Sequence, residues 1–358
     1  MIRLYGPAVG HGSLARVTAG MGRALLDLKK LAGVVPLDSY DDEEVYSGAD
    51  APIGVLTAPS ALSFVQRIGW HKRVYVLLPP NSTWVPDDAL REFAKAKAVL
   101  IAPTTWAKQT LINAAFRANA DIRVSLWHHG VTSAFKPSEA AWRDALMSYQ
   151  TGHFSAVHLA SEATERKGTK KLVAAWCQAF DAKKLPPQAT LRLVVDGPRR
   201  SFDTFLAELP VTDAARGSVV WTERRPDLSP DAARAYYQAR HVVIQPSRGE
   251  GFGLIPLEAR ASGVPVVMTA CTGHADHVDA AGGQGVVTVP TSGLEPIDDG
   301  PDGKAPDFRT EDLVSAIVEA YETWPKLSES ANEAAPRIGE EWSWTKVTRE
   351  WFAREGIE

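Results

Sequence analysis

The stretch His241-Val-Val-Ile-Gln-Pro-Ser-Arg-Gly-Glu250-Gly-Phe-Gly-Leu-Ile-Pro-Leu-Glu258-Ala-Arg-Ala-Ser-Gly263-Val-Pro-Val-Val267 decides the fold. It reads as a buried strand, a loop of small residues, a helix and a second buried strand. In a parallel sheet the loop after a strand's C-terminal end opens onto the ligand crevice, which places Glu250 there. Gly249, Gly251 and Gly253 let the backbone approach a ligand closely, and the helix that follows offers free N–H groups and a partial positive charge to phosphate oxygens. Glu258 falls about one turn inside that helix, on the face of Leu254, so both carboxylates are expected to face one bound molecule. Carboxylates beside a phosphate cradle need neutral hydroxyl donors, which a sugar and a ribose supply.

Outward from this unit, apolar runs of strand length alternate with amphipathic stretches, the pattern of βαβ units and parallel sheets. In the first half strands are expected at Ile2–Tyr5, Gly33–Leu37, Ile53–Ala58, Arg73–Leu78, Ala98–Ala102 and Ile122–Trp127. Helices are expected at Leu14–Leu31, Pro59–Gly69, Asp87–Lys97 and Thr105–Ala118. The second half repeats the rhythm, with strands at Phe154–Leu159, Leu191–Val195, Ser218–Trp221, His241–Gln245 and Val264–Thr269 and helices at Thr169–Asp181 and Asp231–Ala239. Thr291–Thr310 is rich in Gly, Pro and Asp without periodicity, which predicts a mobile linker. Trp342, Trp344, Val347, Trp351 and Phe352 are spaced as a closing amphipathic helix.

The totals agree with an α/β protein of two domains. A chain of 358 residues exceeds what one core supports. Its 45% hydrophobic and 23% charged content is that of an ordinary globular protein. A net charge of -4 gives no global field for a polyanion, although Lys170-Lys171, Arg199-Arg200 and Arg224-Arg225 could make local patches. Cys177 and Cys271 have no metal-like or redox-like spacing and are expected as reduced structural thiols. No window has the ~18 apolar residues of a membrane span, and the start of the chain lacks the features of a secretion signal. The protein is expected in the cytoplasm.

Glu250 to Glu258, continuing through Ala259 and Gly263-Val-Pro-Val-Val, resembles the two-glutamate signature of retaining glycosyltransferases of the GT-B fold, family 4 type. The resemblance implies that Glu250 contacts the transferred sugar, that the backbone of Gly251, Phe252, Gly253 and Leu254 contacts sugar and diphosphate, and that Glu258 binds the ribose. Glu165-Arg-Lys-Gly168 is similar to the family's Lys-Gly element, which makes Lys167 the donor-phosphate cation. The family often has an Arg about five residues earlier, where this chain has Glu162 after Ser161, and Arg166 is the substitute. Leu191–Gly197 and Trp344 are further partial matches. The implied architecture is two Rossmann-like domains facing across a cleft: an acceptor domain at 1–148, a donor domain at 149–337, and a C-terminal helix, 338–358, packing back on the first domain.

The first half matches less closely. Gly6-Pro-Ala-Val-Gly-His-Gly-Ser13 occupies the place of the family's glycine-rich loop, so Gly10 and Gly12 are donor contacts and His11 a cleft residue. His128-His-Gly-Val131 resembles the family's Asn-Gly-Val segment, with His129 lining the cleft; no partner has metal-ligand spacing, so no metal is expected. Asn81, Ser82 and Trp84, in a loop after a strand, are acceptor-site candidates. No cofactor is expected beyond a nucleoside diphosphate sugar as co-substrate, uridine diphosphate glucose being commonest in the family. A saccharide or envelope precursor is the favoured acceptor. A hydroxylated DNA base, which requires a positive cleft and base extrusion, and a non-catalytic nucleotide-sugar-binding protein stay open as alternatives. An ordinary dehydrogenase does not fit, because neither half has the full glycine fingerprint.

Overall fold

The computed structural model describes residues 1–7, 13–37, 51–57, 65, 68, 71–160, 165–195, 199–223 and 229–358. The expected helix Pro59–Gly69 lies almost entirely outside them. Strands β1 (Ile2–Gly6), β2 (Leu31–Pro36), β3 (Ile53–Leu56), β4 (Arg73–Leu77), β5 (Val99–Ala102) and β6 (Val124–Leu126) form a 6-stranded sheet in the order β2-β1-β3-β4-β5-β6. A second 6-stranded sheet has the order β12-β11-β10-β7-β8-β9, from β7 (His153–Ala160), β8 (Gln188–Val195), β9 (Val219–Glu223), β10 (Val242–Gln245), β11 (Val266–Thr269) and β12 (Val286–Val289). All pairings within both sheets are parallel. β10 and β11 are buried at every position, which is why they read as unbroken Val/Ile runs rather than as alternation.

The strand order fixes where ligands can bind. In the second sheet the chain moves outward from β7 through β8 to β9, then returns to the other side of β7 with β10. The order reverses between β7 and β10, so their C-terminal ends flank the crevice of a doubly wound sheet. Glu165-Arg-Lys-Gly168 follows the first of these strands and the Glu250 loop follows the second.

The terminal helix Trp344–Glu355 packs on the first sheet, with Trp344, Val347, Trp351 and Phe352 buried among Ile2, Leu4, Tyr75 and Trp127. The Trp351 ring stacks on Trp127 at 3.9 Å, and its Nε1 donates to Ser125 Oγ at 3.0 Å. Glu355 accepts from Tyr75 Oη at 2.6 Å, from Arg123 at 2.7 Å and from Ser125 Oγ at 2.7 Å. The chain therefore passes between the halves twice, and the two passages are joined: Val131 N donates to Trp342 O at 2.8 Å, and Val131 pairs with Ser343 as an isolated bridge.

Several sequence expectations need correction. The first helix covers Ser13–Asp27 and stops short of Leu31, because Lys29 adopts a left-handed conformation (φ 57°) that ends it and lets β2 start at Leu31. Thr291–Thr310 is not a linker: β13 (Ser292–Pro296) and β14 (Lys304–Asp307) pair antiparallel, and Thr310 opens the helix Thr310–Glu322. Ions help to hold this hairpin, alongside the buried Ala305 and Ile297. Arg248, 4% exposed, donates Nε to Pro306 O and is 3.2 Å from Asp307, and Lys171 Nζ lies 2.6 Å from Asp307. The helices Glu139–Gln150, Arg199–Glu208 and Trp324–Glu341 were not expected from the sequence. Cys177 and Cys271 are buried free thiols.

Candidate functional site

Glu250 sits in the turn between β10 and the helix Leu254–Ala261. Its backbone is gripped on both sides: Glu250 N donates to Thr272 Oγ1 at 3.1 Å, and Gly273 N donates to Glu250 O at 2.9 Å. Its carboxylate meets Lys167 Nζ at 2.6 Å, with Arg166 at 3.8 Å. Arg166 also donates to Gly249 O at 2.8 Å, and Arg248 N donates back to Arg166 O at 2.8 Å, which locks the two loops together. Burial alone would raise the Glu250 carboxyl, but the Lys167 and Arg166 charges beside it outweigh that and hold it at about 2. The structure thus brings the three residues expected to act on the donor into one cluster.

Gly253 takes φ 88° as N-cap of the following helix, and a Cβ there would meet the His274 ring at 2.2 Å, so both backbone and space demand glycine. The first-turn N–H groups of this helix have no intrahelical acceptor and suit an anion. Phe252 is buried, with its ring 5.0 Å from that of His129 and 5.2 Å from that of His277. Glu258 is 3% exposed, accepts from Tyr237 Oη at 2.9 Å and is ion-paired with Arg16 of the first half. It lines a cleft of about 690 Å³ between the halves, together with Arg16, Leu254, Ser229 and Trp344. Glu250 is not among the residues lining that cleft, being 9% exposed under Lys167.

The first-half candidates divide. Gly10, His11 and Gly12 lie outside the described residues, as does Glu162. The Asn81 backbone presses on the donor loop, since a Cβ on Gly249 would fall 2.0 Å from Asn81 O. Ser82 is fully buried, accepts from Trp84 N at 3.1 Å and faces Asp299 O of the hairpin, so it is occupied by the protein itself. Trp84 lines a second cavity of about 610 Å³ with Thr83, Asp87, Asp88, Arg117 and Asp302. His129 is 4% exposed between Phe252 and Trp344; burial, then the neighbouring His128, pushes its pKa down to about 3 and keeps it neutral. Neither of its ring nitrogens has a hydrogen-bond partner among the described residues.

Other residues at the site escaped the sequence. Asp276 Oδ2 accepts from Thr105 N at 2.7 Å and Thr105 Oγ1 at 2.9 Å, and it pairs with His128 at 3.1 Å. Thr104 Oγ1 donates to Gly251 O at 3.1 Å. Thr104 could have been flagged as a helix N-cap, which it is, but no local signal names its partner across the cleft. Arg16 and Tyr237 likewise gain meaning only through Glu258. Among the described residues no group of His, Cys, Asp and Glu side chains could hold a metal ion, and no helix is long and apolar enough to cross a membrane.

Residues 154–322 match the family described as Glycosyl transferases group 1. The chain is 39% identical over 103 residues to D-inositol 3-phosphate glycosyltransferase of Pseudarthrobacter chlorophenolicus, across 29% of this chain and 23% of that protein. It is 29% identical over 278 residues to D-inositol 3-phosphate glycosyltransferase 1 of Catenulispora acidiphila, across 74% of this chain and 62% of that protein. The chain thus spans less than two thirds of the length of these relatives. It is similar to the structure of Anabaena HepE in complex with UDP-glucose, with TM-score 0.68, 17% identity and 100% coverage of both chains. It is also similar to sucrose-phosphate synthase of Thermosynechococcus elongatus, with TM-score 0.64, 16% identity and coverage of 99% and 98%. At such identities the structural likeness establishes the fold.

Proposed function

From a chain that has the GT-B fold and whose residues 154–322 match the group 1 glycosyltransferases, we propose a retaining hexosyltransferase that uses a nucleoside diphosphate sugar. The observation that carries this reading is the Glu250–Lys167 pair, built by the loops after β10 and β7, where the strand order reverses. UDP-glucose is the first donor to consider, the one present in the similar HepE structure.

In this reading the donor diphosphate takes over Lys167 and Arg166 and rests on the helix start at Gly253, while Glu250, relieved of Lys167, accepts hydrogen bonds from sugar hydroxyls. Glu258 exchanges Arg16 for the ribose hydroxyls. The bond from the anomeric carbon to the diphosphate oxygen breaks, and its electron pair stays on the diphosphate. The acceptor oxygen bonds the anomeric carbon on the same face and loses its proton to a phosphate oxygen of the leaving group. Fixed cations aimed at the charge that develops there supply the main electrostatic stabilisation. The acceptor is a hydroxyl of a saccharide, approaching from the first half.

The test is calorimetric titration of wild type, Glu258→Ala and Glu258→Gln with a panel of nucleoside diphosphate sugars. Selective binding is expected, weakened about 10- to 100-fold by either substitution through loss of charge-assisted hydrogen bonds. No binding by folded wild type to any member would refute the reading.

A further inference from the structure

The geometry points to Asp276 as a positioning residue that couples closure of the two halves to the placement of Glu250. This rests on the donor reading above and concerns a residue to which that reading gives no role. Asp276 ends the 3-10 turn Thr272–Asp276, which follows β11 and braces the donor loop from behind. Thr272 and Gly273 hold the Glu250 amide and carbonyl. A Cβ on Gly273 would come within 2.5 Å of Glu250 O and 2.6 Å of Phe252 N, so turn and loop have no slack between them. His274 lies against Gly253, and His277 Nε2 is 3.1 Å from Phe252 O. Any displacement of this turn must therefore move the Glu250 backbone.

The other end of the turn belongs to the first half. The Asp276 carboxylate, with its side chain 9% exposed, caps the N-terminus of the helix Thr105–Arg117 by accepting from both the amide and the hydroxyl of Thr105. A carboxylate at a helix start is favoured by the partial positive charge there, but here cap and helix come from opposite sides of the cleft. His128 adds a third contact to the same oxygen. Thr104, fully buried beside it, accepts from Ala107 N and donates to Gly251 O, so the same helix start also touches the donor loop directly. Burial would raise the Asp276 carboxyl, but the contacts from His128 and Thr105 prevail and lower it, as expected of a carboxylate that works ionised. When the halves separate, Asp276 and Gly251 O lose these partners together; when they close, the helix start presses the 3-10 turn and the donor loop into one arrangement.

The test compares wild type with Asp276→Ala and Asp276→Asn, using UDP-glucose or whichever nucleotide sugar wild type binds, with water as acceptor and release of the nucleoside diphosphate as the measured rate. Donor affinity is read separately by calorimetry, and hydrogen exchange is followed at the amide of Thr105. Asp276→Ala is expected to lower turnover on the order of 10- to 100-fold, the range of typical coupling between sites, with the donor dissociation constant changed less than about threefold. It should also remove protection at Thr105, and Asp276→Asn, which keeps an acceptor oxygen, should restore part of both. Unchanged turnover, turnover and donor affinity falling in proportion, or full protection at Thr105 in the alanine variant would each overturn the proposal. A wild type that binds no nucleotide sugar overturns the donor reading, and this proposal with it. One that binds donor while Asp276→Ala turns over normally overturns the proposal alone.

Discussion

Replacing Lys167 with Met removes the partner 2.6 Å from Glu250 while keeping most of the side chain's volume. Both side chains are 12% exposed, so little water can replace the lost ammonium. Breaking a buried pair from one side costs about 3–5 kcal/mol because a charge is left uncompensated. Arg166, 3.8 Å away, still offsets part of that charge, which puts the expected loss near the lower end. With a urea dependence of about 3 kcal/mol per molar, the upper end of the usual range, the unfolding midpoint of the second half should fall by about 1 M. Adding Glu250→Gln removes the stranded charge, so the double variant should recover most of the loss and the cycle should show strong coupling. Urea titrations of the four proteins at pH 7, followed by tryptophan fluorescence, measure this. Single losses below about 1 kcal/mol that simply add, as for exposed pairs, would refute the description of Glu250 as a buried carboxylate held by Lys167.

Acid should destabilise the protein before its carboxylates titrate. His129 and His277 are lowered to about 3, His158 and His241 to about 4, each chiefly by burial. The unfolded chain takes up these protons below about pH 6.5 and the folded chain does not. Stability fully present above that pH is therefore lost as the pH falls toward 4, by about 2 kcal/mol per histidine at pH 5. Urea midpoints between pH 7 and 5 should show this slope, less steep in His129→Asn; a flat profile would contradict the burial. Trp351→Ala should cost about 3–5 kcal/mol through the cavity it leaves, and calorimetric scans should show the loss in the first half, on which the terminal helix packs.

What the sequence discloses follows from how each element is stabilised. β10 and β11 are buried on both faces, so their identity is written in unbroken apolar runs, and the loop and helix between them follow. The hairpin is the opposite case: β13 is exposed at every position and receives Arg248 on its Glu295 and Pro296 carbonyls, while Lys171 pairs with Asp307 of β14, so the residues of β13 themselves show no alternation. The same division runs through the site. Glu250 and Lys167 stand at turns of a recognisable type and Glu258 in the helix that follows one of them, whereas Asp276 acquires its role from Thr105, 171 positions away in sequence. Ser82 was legible as a loop residue but not as one that the hairpin covers. Local pattern reports a residue's own backbone; it is silent on the surface that arrives from the other half.

The joined passages at Val131 and Ser343 have a mechanical consequence. Two strands of chain bonded side by side resist shear and stretching but yield to bending, so they act as a door hinge and not as a tether. Rotation about such an axis displaces atoms in proportion to their distance from it. His129, Phe252 and Trp342, packed close to the axis, would stay nearly still during opening. The contact of Thr83 with Lys304, contributed by separate elements of the two halves, would swing apart with the free edge. The molecule would then open as a jaw about its aromatic pivot.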